Sequence, residues 1–335
     1  MKNIKTLLLA VFVATAFLSF AQDSKEDFYG MWTLEIDGGG VGWLEVQNRH
    51  GFLDADLLWR GGSVVPVAHA YFKDDKNLVV TRTRELTREV PGDKERKHIV
   101  TLTFSFERKG EKLKGVMTQP APDGMSVNTT KFEGWKLPDP GTPPNLSKIE
   151  FGDPIQLFNG ENLLGWEMVN ADHLNGFKVV DGILINEPVH KEGQEGHFGN
   201  LRTVEEYEDF NLKLEVNVPE GNNSGVYLRG MYEIQVVDSY GKELDSHNMG
   251  ALYSRITPSE AAEKPAGEWQ KMDITLYKRH ITVNLNGINI IDNQPVYGPT
   301  GGAIIADVFK PGPIYLQGDH GKVSYRNIAL TPIVE

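Results

Sequence analysis

The chain has 335 residues, a formal net charge of −12 and no cysteine. Disulfide bonds and a lipid-anchored cysteine are therefore excluded, and the acidity argues against a nucleic-acid partner, which requires clustered Lys and Arg. Residues 141–335 alone carry 15 basic and 27 acidic residues, net −12, so a neutral sugar or a cation is the better-matched ligand.

The first 21 residues read as a secretory signal. Lys2 and Lys5 form a basic start, an apolar run covers Leu7–Phe20, and the signal ends in the small-x-small site Ser19-Phe20-Ala21. The run is short for a membrane span, and no other stretch of the chain is apolar enough to be one. An exported protein without disulfides is expected in a bacterial periplasm, or outside the cell.

Residues 26–138 read as short strands separated by turns, with no helical period held over three turns. This rhythm predicts a small antiparallel β-barrel or sandwich, to which the sequence assigns no role. The basic run Arg82–Lys97 alternates with acidic residues and is expected to be a solvated hairpin. Residues 139–149 follow as a proline-rich linker, because the prolines at 138–145 cannot join a central strand.

Residues 150–335 are again rich in strands. His280–Leu285 alternates apolar and polar side chains and leads into Asn286-Gly287, a strong hairpin signal. Several strands at this spacing over about 180 residues predict an all-β sandwich of two sheets, a jelly roll.

The stretch Asn222–Asp238 has the most informative pattern. Two short strands, Val226–Arg229 and Tyr232–Val237, flank a tight connection, and strand side chains alternate between faces. One predicted face is apolar, and the other, if the connection keeps the phase, carries Tyr227, Arg229, Glu233 and Gln235. The pattern alone fits a solvent-exposed sheet face and the floor of a polar pocket equally well.

Residues 155–333 resemble the 3-keto-disaccharide hydrolase family, which has a concanavalin A-like jelly roll. The matching motifs stand in the expected order: Leu157-Phe158-Asn159-Gly160, Asp181-Gly182-Ile183-Leu184, Asn223-Ser224-Gly225, Tyr232-Glu233-Ile234-Gln235, Gly250-Ala251-Leu252-Tyr253, Gly267-Glu268-Trp269 and Leu316-Gln317-Gly318-Asp319-His320-Gly321. One departure is Gln270, where the family usually has Asn. The resemblance implies cleavage of 3-keto-glycosides or 3-keto-disaccharides by a base, an enolate stabiliser and an acid.

Four residues are candidates for these catalytic roles. Glu233 is a possible base or metal ligand and Arg229 a donor to a ketone oxygen, although the two also fit a structural ion pair. His320, in a glycine-flanked turn, suits acid–base chemistry near neutral pH, or a hydrogen bond to backbone. Asp238 is a second carboxylate or an Asx-turn residue.

The expected sugar-binding residues combine amides with aromatic rings: Asn223, Tyr227, Gln235, Tyr253, Trp269 and Gln317. The acidic pair Glu233 and Asp238 also allows a divalent cation with oxygen ligands, Ca²⁺ or Mg²⁺. Two alternatives remain open at this point. One is a lectin without catalysis, and the other a glycosidase of unoxidised glycans that uses paired carboxylates.

Overall fold

A computed structural model describes residues 24–90, 92–190 and 194–334. The predicted signal, Met1–Ala21, lies outside the described residues. The described chain is built from β-strands, with short 3₁₀ turns at Lys25–Phe28 and Leu146–Lys148. Within these ranges no helix is long and apolar enough to cross a membrane.

The first nine strands form one antiparallel sheet in the order β4-β3-β2-β1-β9-β8-β7-β6-β5. Their bounds are β1 Gly30–Ile36, β2 Val41–Arg49, β3 Phe52–Trp59, β4 Val65–Pro66, β5 His69–Phe72, β6 Asn77–Val90, β7 Asp93–Lys109, β8 Lys112–Pro120 and β9 Val127–Leu137. The two ends of the sheet meet, because Val67 N donates to Ala55 O on β3 and Ala68 N to Thr81 O on β6. Of the two predicted arrangements, a small antiparallel barrel or a sandwich, the structure shows the barrel.

The barrel encloses its own apolar core, which includes Trp32, Leu44, Phe104 and Phe132. Its longest hairpin, β6–β7, carries the basic run Arg82–Lys97 in largely exposed positions. An exposed ion pair joins Lys97 Nζ and Glu85 Oε1 at 2.7 Å across this hairpin. The basic run is therefore a solvated hairpin, as its alternating charges predict.

The remaining strands form two sheets, of order β12-β13-β22-β15-β18-β19-β20 and β11-β14-β21-β16-β17, with β10 paired to β22. Their bounds are β10 Ile155–Gln156, β11 Trp166–Met168, β12 Phe177–Val180, β13 Ile183–Asn186, β14 Leu201–Thr203, β15 Phe210–Asn217, β16 Asn223–Leu228, β17 Tyr232–Val237, β18 Trp269–Tyr277, β19 His280–Leu285, β20 Ile288–Pro295, β21 Tyr315–Leu316 and β22 Val323–Pro332. Apolar side chains of both sheets share one core, including Leu212 and Ile274 from the first and Val226 and Ile234 from the second. The predicted jelly roll is confirmed.

The barrel packs directly on the jelly roll. Trp43 joins the jelly-roll core, donates from Nε1 to Tyr297 O at 3.1 Å, and lies 4.3 Å below the guanidinium of Arg255. Thr33 Oγ1 donates to Ala306 O at 2.7 Å. The proline-rich segment therefore connects two units with a shared apolar contact, and independent folding from about residue 142 stays a prediction.

Candidate functional site

The hairpin β16–β17 keeps the predicted phase across its connection. Tyr227 pairs with Glu233 and Gly225 with Gln235, so these side chains share the sheet face turned away from the sandwich core. Val226 and its apolar neighbours occupy the other face, inside the core. The alternation that the sequence shows thus sets the floor of a polar site.

A cavity of about 250 Å³ opens over this face. Seven of the predicted site residues line it: Asn223, Tyr227, Glu233, Gln235, Tyr253, Gln317 and His320. Asn200, Tyr315, Asp319 and the glycine pairs at 61–62 and 301–302 complete the lining. Residues from β16, β17 and β21, from loops of the jelly roll and from the barrel therefore converge on one small polar pocket.

A larger groove of about 770 Å³ lies elsewhere, between the barrel and the jelly roll. Glu35, Glu133 and Glu206 line it together with Trp135 and Lys310. Among the described residues, no histidine lines this groove, whereas the smaller pocket combines an imidazole with two carboxyl groups. Acid–base chemistry therefore favours the smaller pocket, although it is not the most voluminous one.

Glu233 is the buried acid of the pocket, with 4 % of the residue exposed. A Cβ atom at Gly225 would lie 2.4 Å from Glu233 Oε1, so only glycine at position 225 leaves room for the carboxyl. Burial raises the pKa of Glu233 from 4.5 to about 8, while the Tyr227 hydroxyl and the charge of His320 oppose the rise. At neutral pH the carboxyl is predominantly protonated and can donate a proton.

Two tyrosines form a rigid wall beside Glu233. The rings of Tyr227 and Tyr315 stack at a centroid distance of 3.8 Å and an interplanar angle of 12°. Their hydroxyls donate to Gly301 O at 2.8 Å and to Gly302 O at 2.6 Å. Burial raises the pKa of both hydroxyls well above the ordinary value, so both stay neutral. The wall is fixed from two sides, by stacking and by hydrogen bonds.

His320 stands on a turn that two asparagines, the buried Asn186 and the half-buried Asn200, hold in place. Asn186 Nδ2 donates to Gly318 O at 3.0 Å and to Gly321 O at 2.9 Å, on either side of the histidine. Asn200 Oδ1 accepts from Gly318 N at 2.8 Å. Because three hydrogen bonds anchor the turn, the imidazole has a defined position at the pocket.

The neighbouring carboxylate orients the imidazole. His320 Nδ1 lies 2.7 Å from Asp319 Oδ1, and an ionised carboxylate only accepts, so Nδ1 carries the proton and Nε2 holds the lone pair of the neutral ring. The hydrogen bond to Asp319 raises the pKa of His320. Burial is the largest single influence and works to raise the pKa of Asp319. The hydrogen bond from His320, the charge of His320 and a backbone hydrogen bond together outweigh it, so the net shift is downward. His320 is thus a stronger base than an ordinary imidazole.

Arg229 does not reach the pocket, which corrects its predicted role as an enolate donor. The residue follows β16 with a left-handed φ of 55°, which turns its side chain out of the strand alternation. The buried guanidinium donates from Nη2 to Val308 O at 2.9 Å and from Nε to Lys310 O at 3.1 Å. It ties the hairpin turn to a neighbouring loop, and forms no ion pair with Glu233.

Asp238 also lies away from the pocket. Asp238 stands five positions after Glu233 along the chain, so in extended backbone the two side chains point to opposite faces and their Cα atoms are roughly 17 Å apart. Asp238 Oδ2 accepts from Gly221 N at 3.0 Å, which closes the loop before β16. The predicted pair of carboxylates across a glycosidic bond is therefore not formed by these residues.

The same separation removes the donor pair proposed for a divalent cation. In the ranges 24–90, 92–190 and 194–334 no three His, Asp or Glu side chains gather closely enough to hold a metal ion. Glu233 and Asp238 therefore do not share a Ca²⁺ or Mg²⁺ site, and a requirement for a divalent cation stays a prediction.

Trp269 stands on β18, in the other sheet, rather than at the pocket. Its ring packs 4.0 Å from the guanidinium of Arg326. Gln270, the departure from the family motif, accepts from Lys264 N and donates to Lys264 O, each at 2.9 Å. This side chain anchors a loop and takes no part in the pocket.

The sequence interpretation missed five groups of pocket residues, namely Asp319, Tyr315, Asn200 and the glycine pairs at 61–62 and 301–302. Asp319 could have been predicted from the sequence, because it directly precedes His320 in the family motif and its carboxylate can accept a hydrogen bond from the imidazole ring. Tyr315 starts the short strand before that motif, and Asn200 lies in no motif. Gly61 and Gly62 belong to the barrel, and nothing in their local sequence indicates that they meet Glu233.

Comparisons with known proteins agree with the resemblance seen in the motifs. The chain is 27 % identical over 167 residues to a 3-keto-disaccharide hydrolase of Bacteroides thetaiotaomicron, a match that covers 41 % of this chain and 57 % of that protein. The chain thus spans a little over half the length of this curated relative. Two crystal structures of candidate glycosyl hydrolases from Parabacteroides distasonis also match. The first is 29 % identical, with a TM-score of 0.43, over 57 % of this chain and 92 % of that one. The second is 25 % identical, with a TM-score of 0.40, over 54 % and 100 %.

The family match covers the unit that carries the pocket floor and the histidine turn. The model of the 3-keto-alpha-glucoside-1,2-lyase-like domain matches residues 153–331, which is more than half of the chain. With its jelly roll and the motif residues that line the pocket, the chain belongs to the family of the 3-keto-alpha-glucoside-1,2-lyase-like domain.

Proposed function

We propose that this protein hydrolyses glycosides whose sugar carries a ketone at C3, 3-keto-disaccharides among them. The observation that carries the proposal is the pairing of a buried, mostly protonated Glu233 with an Asp319-oriented His320 in one small pocket. The family membership and the name of the curated relative support the same class of substrate.

The base step falls to His320. A ketone at C3 acidifies the hydrogen at C2, and Nε2 of His320 carries the lone pair that takes this proton. The electron pair of the C2–H bond becomes the C2–C3 double bond of an enolate. Asp319 stabilises the imidazolium that forms, because its carboxylate already accepts from Nδ1 at 2.7 Å.

The acid step falls to Glu233. The enolate re-forms the C3 carbonyl and a C1–C2 double bond, and the C1–O bond breaks towards the leaving oxygen. Glu233 protonates that oxygen, since its raised pKa keeps a proton available near neutral pH. Water then adds its hydroxyl to C1 while His320 returns a proton to C2 and Glu233 recovers one from the water. The net reaction is hydrolysis.

Amide side chains offer sites for the sugar hydroxyls. Asn223 Oδ1 is buried without a hydrogen-bond partner among the described residues. Gln235 uses Oε1 to accept from Val236 N at 3.2 Å, and its amide group lines the pocket. The pocket of about 250 Å³ is smaller than the roughly 300–1,000 Å³ of ordinary small-molecule sites, which suits one pyranose ring.

A parallel activity screen tests this function. Purified protein is incubated with a native disaccharide and with the same disaccharide oxidised at C3, and the released sugars are quantified. Turnover of the 3-keto substrate alone is the expected result. Cleavage of the native disaccharide would establish a glycosidase of unoxidised glycans instead, and binding without cleavage of either would establish a lectin.

We also infer that the reaction takes place outside the cytoplasm, in the periplasm or beyond it. The basic start, apolar run and small-x-small site of Met1–Ala21 support this inference. Fractionation of cells that express the chain, with and without residues 2–21, measures it. Retention of the full chain in the cytoplasm would overturn it.

A further inference from the structure

One wall of the pocket comes from the barrel, outside the matched family domain. Gly61 and Gly62 line the pocket together with Glu233 and His320. They belong to the loop of residues 60–64, which connects β3 to β4. The family match begins only at residue 153, so this wall is an addition to the domain that carries the acid and the base.

The loop of residues 60–64 is docked on the jelly roll through successive contacts. Arg60 O accepts from Gly302 N at 2.9 Å. Gly62 lies so close to Gly301 that a Cβ atom added at Gly301 would be 2.1 Å from Gly62 O. Val64 N then donates to Ser254 Oγ at 3.0 Å. The same glycine pair, 301–302, accepts the hydroxyls of the tyrosine wall, so the loop and that wall share one support.

A latch of three side chains, Ser63, His247 and Asp245, holds the middle of the loop in place. Ser63 Oγ lies 2.8 Å from His247 Nε2, and His247 Nδ1 lies 2.5 Å from Asp245 Oδ1. The His247 ring also packs edge-on against the pocket residue Tyr253, at 4.9 Å. The order Ser–His–Asp is that of a hydrolytic triad, but the Asp245 side chain is 59 % exposed, whereas a triad aspartate is buried. The three side chains therefore position the loop.

We propose that the loop of residues 60–64 makes the pocket selective for a terminal sugar ring of a short 3-keto-glycoside. The loop closes one side of a cavity that has room for about one sugar ring. A ring in the middle of a longer glycan is bonded to a neighbouring sugar on each side, and the loop leaves no space for the neighbour on its side. Glycines at 61 and 62 give the wall without filling the pocket. This inference rests on the proposed function, and names the substrate length that the same site accepts.

Release of the latch tests the inference. The measured quantity is the ratio of kcat/KM for a 3-keto-disaccharide to kcat/KM for a trisaccharide oxidised to the ketone on its central ring. We expect wild type to prefer the disaccharide by 10²-fold or more, and Ser63→Ala and His247→Ala to lower the ratio at least ten-fold. His50→Ala, in an exposed hairpin turn of the barrel, is the matched control and leaves the ratio unchanged.

Narrowing of the pocket provides the opposite test. Gly61 has no left-handed φ, and a Cβ there meets nothing within 4 Å, so side chains fit at this position. Gly61→Tyr is expected to raise the KM for the 3-keto-disaccharide ten-fold or more and to change kcat little, whereas Gly61→Ala stays close to wild type. Melting curves confirm that each variant is folded.

The outcomes separate this inference from the proposed function. Wild-type protein that neither cleaves nor binds any 3-keto-glycoside ends both. Wild-type protein that cleaves the disaccharide and the centrally oxidised trisaccharide equally well ends the selectivity alone. The selectivity would also be refuted if Ser63→Ala and His247→Ala both left the disaccharide-to-trisaccharide ratio of kcat/KM unchanged and Gly61→Tyr left the KM for the disaccharide unchanged.

Discussion

Replacing Glu233 by glutamine is expected to stabilise the protein and to remove most of its activity. The variant keeps the size of the side chain and its hydrogen-bonding capacity but can neither ionise nor protonate a leaving group. In wild type the raised pKa means that the folded state holds a proton which the unfolded chain has released between pH 4.5 and about 8. Stability therefore falls as the pH rises through this window, and glutamine abolishes that loss.

The size of the effect follows from the pKa values. A pKa unit corresponds to about 1.36 kcal/mol, so the rise from 4.5 to about 8 is worth about 5 kcal/mol above pH 8 and about 3 kcal/mol at pH 7. At roughly 2–4 °C per kcal/mol for a domain of this size, the melting temperature at pH 7 should increase by several degrees. Turnover of 3-keto-disaccharide should fall by about 10²-fold or more.

Thermal melts at pH 5 and pH 8, with steady-state kinetics, measure both effects. The matched control is Glu215→Gln, because Glu215 is ion-paired with Arg326 at 2.6 Å on the other sheet. Burial works to raise the pKa of Glu215, but the hydrogen bonds from Arg326 and Asn327 and the charge of Arg326 together outweigh it, and the net shift is downward. This substitution should therefore lower stability at pH 7 and leave activity intact. Glu233→Gln that melts lower than wild type at both pH values, with turnover within a few-fold of normal, would refute the reasoning.

Three further predictions concern the histidine turn, the glycine under Glu233 and the two-unit organisation. His320→Ala should lower turnover about 10²-fold. Asp319→Asn should move the acid limb of the pH–rate profile to lower pH, since Asp319 raises the pKa of His320; an unmoved limb would contradict the orienting role. Gly225→Ala places a Cβ 2.4 Å from Glu233 Oε1, so activity should fall at least ten-fold in a folded protein, and normal kinetics would contradict this packing. A fragment that starts near Thr142 should melt cooperatively but below the full chain, because barrel side chains complete the jelly-roll core; calorimetry without a transition would end the two-unit interpretation.

The sequence by itself determined the strands, the fold class and the orientation of the site hairpin. These features are local: a strand has a period of two, so Tyr227, Glu233 and Gln235 fall on one face wherever the hairpin packs. The same parity places Asp238 on the opposite face. The glycine-flanked His320 was identified with its motif, because the short stretch carries both the turn signal and the titratable ring.

Only the tertiary structure decided which of these side chains meet. Arg229 lies outside the pocket because a left-handed φ after β16 turns its side chain towards carbonyls of a loop that is distant in sequence. Trp269 lies outside the pocket because β18 belongs to the other sheet. The pKa of Glu233 depends on burial by parts of the chain far away in sequence. Gly61 and Gly62 reach the pocket through the packing of the barrel on the jelly roll. Contacts of this kind are fixed by the packing of whole sheets, which no local pattern of residues encodes.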